Sequence, residues 1–395
     1  MIKTLKSFNL RGKNILIRVD FNVPLDNGRV SNNFRIKAVI PTILTCIEAG
    51  AAVVLMSHLG RPKGKLNKKL SLIPVGEELA SLLERPIKFS EDCVSMDAID
   101  TSISLKPGEI HLLENLRFHD GEELNNKEFS SKLARHGQIY INEAFGTAHR
   151  SHASNVGVVS FFKNYGTGWL MDKELKYLSK TFSKPQLPLT LILGGAKIDT
   201  KLQLIEKFLN KANNIIIGGG MAFTFLKAAG KNIGGSLLDR SMISVARSIL
   251  NMARIKNVKI LLPTDVFCKS TFSGKEKKIE CHINDIPKNM IALDIGSETV
   301  NEFKKVISMS KTVLWNGPMG VFENKDFEFG TRAVALFLAD CVNEGAEVVI
   351  GGGDTAAALE YFGLQKAMTH ISTGGGASLE LLSGNPLPAL LALEK

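Results

Sequence analysis

Ten short runs of valine, isoleucine and leucine recur along the chain and constrain its fold more than any other feature. They are Ile15–Val19, Val53–Met56, Ile110–Leu113, Ile139–Ile141, Leu189–Leu193, Ile215–Ile217, Ile260–Leu262, Ile291–Leu293, Val313–Trp315 and Val348–Ile350. Continuous apolar runs of this kind suit strands buried on both faces, as in parallel sheets. Helical patterns lie between them: Ile73–Leu83 and Ser241–Ala253 place apolar residues three and four apart. Strands alternating with helices predict an α/β fold with parallel sheets, and so many strands fit two sheets better than one.

The chain has 395 residues, a length that suits two domains of roughly 150–200 residues each. Trp169–Phe182 reads as one amphipathic helix with Leu170, Leu175 and Leu178 on one side. The segment from Ser183 to Pro188 then breaks it, because proline ends helices and biases its predecessor towards extended backbone. This divides the chain into a first lobe over 1–168, a connecting helix and linker over 169–185, and a second lobe from 186.

The two lobes differ in chemistry. Every Gly-Gly run lies in the second: Gly194-Gly195, Gly218–Gly220, Gly234-Gly235, Gly351–Gly353 and Gly374–Gly376. Glycine lets backbone approach a phosphate, and a helix starting just after it aims free N–H groups at the anion. Gly351–Gly353 follows a predicted strand and opens an Ala-rich helix at Asp354 and Thr355, while Lys197 and Lys201 add amines on successive turns of a starting helix. Asp354 is a candidate Mg²⁺ ligand, since that ion takes one or two carboxylates plus phosphate oxygens. Taken singly, each glycine run is explained equally well by a tight turn. Together they point to a nucleotide.

Predicted strands of the first lobe end instead in polar and basic groups. Arg18 to Asn22, Ser57 to Pro62, Glu114 to His119 and Ala148 to His152 each follow a strand. In open α/β sheets ligands bind outside the carboxyl ends of the strands. Arg35, Arg61, Arg117 and Arg150, with His58 and the candidates His149 and His152, therefore form a prospective basic cup. Guanidinium forks match phosphate and carboxylate oxygens, and Asp20 and Asn22 suit a hydroxyl. Surface arginines in solvated loops are the competing explanation for any one of them.

Other classes are poorly supported. The excess of 49 Lys+Arg over 39 Asp+Glu predicts an anionic partner without naming it. No apolar run approaches the roughly 18–20 residues needed to span a bilayer, and the N-terminal stretch has no signal-peptide pattern. Five widely spaced cysteines without CxxC read as reduced, intracellular thiols. No P-loop, GxGxxG, kinase HRD/DFG, GxSxG or HExxH pattern occurs. No RNA-binding or zinc motif occurs either, and aromatics make up 7% of residues, so nucleic acid is not expected as the primary partner. A different acyl-phosphate ligase or transferase, and a two-lobed anion receptor without chemistry, remain alternatives at this level.

The segments Arg18–Pro24, Ser57–Pro62, Glu114–His119, Ala144–His152, Gly194–Lys197, Gly218–Leu226, Trp315–Glu323, Gly351–Thr355 and Ser372–Leu381 closely resemble the phosphoglycerate kinase family, in family order along nearly the whole chain. The resemblance implies two doubly wound parallel sheets flanked by helices and joined by a helix, with the second lobe over 186–378. It also implies a C-terminal segment, 379–395, returning to the first lobe. It implies a cytoplasmic monomer that reversibly transfers the acyl phosphate of 1,3-bisphosphoglycerate to ADP, giving 3-phosphoglycerate and ATP with Mg²⁺. The implied triose site is Asp20, Asn22, Arg35, His58, Gly60, Arg61, Arg117 and Arg150. The implied nucleotide site is Lys197, Lys201, Gly219, Gly220, Asn316, Pro318, Glu323, Gly351, Gly352, Gly353, Asp354 and Thr355, with Asp354 linked to the metal and Glu323 to the ribose. Arg35 and Lys197, with backbone N–H groups at Gly353, Gly375 and Gly376, would serve the transferring phosphoryl group. Glu143 departs from the family pattern, standing where aspartate is common.

Overall fold

The computed structural model describes residues 2–273 and 276–394, with side chains given except at 180–182. It resolves into two compact units, residues 1–176 with 386–395, and residues 177–385.

The first unit is built on β1 (Asn14–Arg18), the short hairpin β2 (Leu25–Asp26) and β3 (Arg29–Val30), β4 (Ala52–Met56), β5 (Ile87–Ser90), β6 (Ile110–Leu113), β7 (Ile139–Asn142) and β8 (Tyr165–Thr167). Six of these form one parallel sheet in the order β5-β6-β4-β1-β7-β8. Side chains alternate across it. Ile15 and Ile17 pack on one face with helix Phe34–Glu48, and Leu16, Val54 and Met56 pack on the other. Both faces are dry, which is why the strands read as unbroken apolar runs.

Beneath the sheet, polar groups are held in a closed chain. The Nε2–H of His136 donates to the Cys93 carbonyl at 3.0 Å, so its Nδ1 accepts from the Ser102 hydroxyl at 2.7 Å. Ser102 Oγ then accepts from His111 Nδ1–H, and His111 Nε2 accepts from Ser90, both at 2.8 Å. Burial lowers both histidines to about 4 from the usual 6.5. The unfolded chain therefore binds these protons more tightly than the folded one, and stability falls as pH drops from 6.5 towards 4. Each gap is worth about 3 kcal/mol, less for the pair because they share Ser102. Urea unfolding at pH 7 and pH 4.5 is expected to show this loss, and His111→Gln should flatten it. An unchanged pH slope in the variant would refute the assignment.

The second unit contains β9 (Leu189–Leu193), β10 (Asn214–Ile217), β11 (Lys259–Leu261), β12 (Asp265–Lys269), β13 (Ile279–His282), β14 (Ile291–Ile295), β15 (Thr312–Asn316), β16 (Glu347–Gly351) and β17 (His370–Ile371). Its main sheet is parallel in the order β11-β10-β9-β15-β16-β17. This is the doubly wound arrangement whose order reverses between its first and fourth strands, here β9 and β15. The sequence expectation fails for Ile291–Leu293. That run belongs to a separate antiparallel sheet, β13-β12-β14, where Ile291 and Leu293 are only half-buried. A short apolar run does not encode the direction of its partner.

The connecting helix spans Trp169–Ser183. Glu143, buried at the end of β7, accepts from the N–H groups of Leu170 and Met171 at its start. The predicted returning segment begins later than expected. Helix Gly375–Leu382 stays in the second unit, and the first unit regains the chain only from Pro386. There, helix Pro388–Leu393 docks through the Ala389 N–H on the Ala148 carbonyl. Lys395 lies outside the described residues. No described helix is long and apolar enough to cross a membrane.

Candidate functional sites at the carboxyl edges of two sheets

In the first unit Arg18 pairs in register with Met56 and with Asn142, so β1, β4 and β7 end level. The segments after them are tied together. Ser57 Oγ accepts from Phe21 N–H, Asn22 Oδ1 from Gly60 N–H, and the Gly60 carbonyl from Arg117 Nη1 at 2.8 Å. Arg35 Nη1 lies 3.0 Å from Asp20 Oδ2 and donates also to the Asn22 carbonyl. Asp20 and Asn22 thus spend their side chains positioning Arg35 and Gly60.

Arg117 is 3% exposed, and its Nη2 has no hydrogen-bond partner. Its Nε lies 3.1 Å from Glu123 Oε1, and a buried guanidinium donor left without an acceptor is costly, which makes Nη2 a candidate anion donor. Arg150 is half-buried, with Nε 3.4 Å from His149. Burial, then the fields of Arg18, Arg117, Arg150 and Arg35, hold His58 well below the usual histidine range. Burial with Arg117, Arg18 and Arg150 lowers His152 to about 3. The basic cup is therefore assembled around neutral imidazoles. Arg61 is exposed and has no described contact with the group.

Arg18 itself was not a predicted site residue. It is fully buried, donating to Ser154 at 2.7 Å and lying 3.2 Å from His58 Nδ1. Arginine only donates, so Nδ1 accepts and His58 Nε2 carries the proton. The signal was available in the sequence: an arginine inside the otherwise apolar run Ile15–Val19.

In the second unit Leu193, Asn316 and Gly351 lie level across β9, β15 and β16. The glycine turns after them meet at the point where the strand order reverses, as expected for a doubly wound ligand site. Trp315, fully buried, donates its indole N–H to the Gly317 carbonyl, and Gly317 N–H donates to Thr355 Oγ1 at 2.6 Å. Thr355 is buried, so its hydroxyl oxygen braces this turn.

Lys201 spends its amine on backbone carbonyls. It closes the 3-10 turn Asp199–Lys201 just before helix Leu202–Phe208, and its buried Nζ donates to the carbonyls of Gly194 and Asn316. Burial lowers it to about 8, opposed by the nearby Asp354. Lys197 is exposed in the loop ahead of that turn.

Two adjoining clefts share Gly195 and Ala196. One, of about 420 Å³, is lined by Lys197, Lys201, Asn316, Asp354 and the glycines Gly353 and Gly375. Helices Gly353–Tyr361 and Gly375–Leu382 both begin there. Their N-termini are side by side, since a Cβ at Gly375 would lie 3.3 Å from Gly353 N. Asn316 Nδ2 is buried there without a partner. The other cleft, about 250 Å³, is apolar: Phe223, Leu237, Met319 and Val321 line it, with Gly219, Gly220, Pro318 and an exposed Glu323 at its edge.

One group was not foreseen. Asp92, Cys93 and His119 bring ligand-type atoms within 4.8 Å of one another, but Asp92 already caps Val94 and Ser95 and pairs with His119 at 3.0 Å.

Two doubly wound units, each carrying anion-seeking groups at the carboxyl edge of its sheet, define a class of α/β proteins built for two anionic ligands. A phosphoglycerate kinase family model matches residues 5–385. The chain is 47% identical to the phosphoglycerate kinase of Chlorobium chlorochromatii and 46% identical to that of Prosthecochloris aestuarii, each over 99% of both chains. The solved phosphoglycerate kinase of Coxiella burnetii superposes with a TM-score of 0.88 at 39% identity, covering 100% of this chain and 99% of that one. That of Pyrococcus horikoshii gives 0.86 at 31%, covering 100% and 98%. The chain belongs to the phosphoglycerate kinase family.

Proposed function

We infer that this chain catalyses the reversible transfer of the acyl phosphate of 1,3-bisphosphoglycerate to ADP, the reaction of its family. The observation that carries this reading at residue level is the pair of buried, unpartnered donors, Arg117 Nη2 in one unit and Asn316 Nδ2 in the other. Each is satisfied by a bound anion or carbonyl. A coupled assay with 3-phosphoglycerate and MgATP tests it, and purified chain that forms no ADP would refute it.

The first unit binds the triose. Arg35, Arg117 and Arg150 take its phosphate and carboxylate, and neutral His58 donates from Nε2. Arg150 has the weakest ties to protein, so Arg150→Ala is expected to raise the KM for 3-phosphoglycerate about tenfold or more, the worth of a charge-assisted bond. A change confined to the nucleotide KM would reverse the assignment of units.

The second unit binds the nucleotide. Its apolar cleft suits base and ribose, with Glu323 at the sugar hydroxyls, and its glycine cleft suits the phosphates. Nucleotide use of this kind generally involves Mg²⁺. Asp354, exposed in the first helical turn beside that cleft, fits an ion that takes one or two carboxylates plus phosphate oxygens. When bound, the ion neutralises phosphate charge.

In the ATP-consuming direction the nucleophile is a carboxylate, ionised at neutral pH. No side-chain base is required, and the chemistry rests on positioning and charge. Direct transfer requires donors to the phosphoryl charge: Arg35 is the candidate of the first unit, and Lys197 with the N–H groups of Gly353, Gly375 and Gly376 are those of the second.

A further inference from the structure

We propose that Cys268 and Cys281 form a covalent modification site: reaction with a small-molecule disulfide closes them into an intramolecular disulfide, and this weakens nucleotide binding.

The two sulfurs are 3.5 Å apart. In the antiparallel pairing of β12 with β13, Val266 faces Cys281, so Cys268 lies two residues along on the same side of the sheet. Diagonal neighbours of this kind are in side-chain reach. A disulfide requires an S–S distance near 2.05 Å, so the sulfurs must approach by about 1.5 Å. Cys46, Cys93, Cys268 and Cys341 are buried, whereas Cys281 is half-buried. Cys281 is therefore the entry point and Cys268 the resolving thiol.

The electrons and atoms balance with one disulfide, RSSR, as oxidant. Cys281, as thiolate, attacks one sulfur of RSSR, forming a Cys281–S–S–R bond and releasing RS⁻. Cys268, as thiolate, then attacks Cys281 Sγ, forming the Cys268–Cys281 bond and expelling the second RS⁻. The two protons from the protein thiols end on two RSH molecules. Burial raises the Cys281 pKa, opposed by the contact with Cys268 and reinforced by Asp285, Asp265 and Glu280, and burial raises Cys268 as well, so the exchange is run at alkaline pH. The same acidic groups favour a cationic disulfide over an anionic one.

The link to the cleft is direct. Across β12 and β14, Cys268 pairs with Ala292, beside a shift of register between Phe267 and Cys268. Ala292, Leu293 and Asp294 form part of the apolar cleft wall. Drawing Cys268 towards β13 pulls on the strand that backs this wall.

The test treats the intact chain with cystamine, or with glutathione disulfide, and reads intact mass after thiol blocking. The expected product has lost two hydrogens, carries no adduct, and forms faster with cystamine. Cys268→Ser should stop at a stable mixed disulfide on Cys281, and Cys281→Ser should leave Cys268 unmodified. A wild-type chain that keeps the adduct, or a Cys268→Ser chain that behaves as wild type, would overturn the proposal. A fluorescent ADP titration of oxidised and reduced chain should show a Kd higher by about threefold or more when oxidised. An unchanged Kd overturns the coupling to the cleft. This arm rests on the nucleotide reading above, and failure of the reduced chain to bind ADP at all would count against that reading instead.

Discussion

Lys197→Ala is expected to lower kcat by about 100-fold or more while nucleotide affinity changes little, the cost of removing one donor to a transition-state charge. Three observations support the proposed role of this amine. Lys197 lines the glycine cleft, it is exposed, and it precedes the turn that buries Lys201. Lys201 cannot substitute, because its Nζ is held by the carbonyls of Gly194 and Asn316. Interactions present only in the transition state act on kcat, whereas uniform binding acts on KM. Steady-state kinetics with both substrates varied separates the two. An unchanged kcat would remove Lys197 from the phosphoryl position, and a loss confined to the nucleotide KM would make it a binding residue.

Gly194→Ala is expected to abolish most nucleotide binding and to destabilise the second unit by about 2–4 kcal/mol. The reason is backbone, not conformational freedom. A Cβ at Gly194 would lie 2.0 Å from the Pro318 carbonyl oxygen and 2.5 Å from that of Gly317. Both oxygens are held in place, because the Pro318 carbonyl accepts from Gly195 N–H and the Gly317 carbonyl accepts from the Trp315 indole N–H. The turns after β9 and β15 would have to part, and they form the floor shared by both clefts. Urea unfolding and a fluorescent nucleotide titration measure the two effects. Triose binding, proposed for the other unit, should be retained. A variant as stable as wild type with unaltered nucleotide affinity would mean that these turns do not shape the site.

Much of this was legible in the sequence. The parallel strands read correctly where both faces are dry, as in Leu189–Leu193, matched residue for residue. β5, β12 and β13 carry polar or partly exposed side chains and gave no such signal. The glycine turns and the strand-end arginines were visible as residue types. Their division of labour was not. Nothing in the spacing of Lys197 and Lys201 says that one is exposed at the cleft and the other clamps two carbonyls. Nothing in RVD says that Arg18 is buried and fixes the proton of His58, or that Asp20 holds Arg35.

By itself, then, the sequence determined the dry parallel strands, the family and the inventory of anion-seeking groups, because apolar periodicity and glycine turns are local properties of the chain. The tertiary structure decided which groups remain unsatisfied. Arg117 Nη2 and Asn316 Nδ2 lack partners only because strands distant in sequence end level and exclude water from around them. A donor becomes a binding group when burial leaves it no other acceptor.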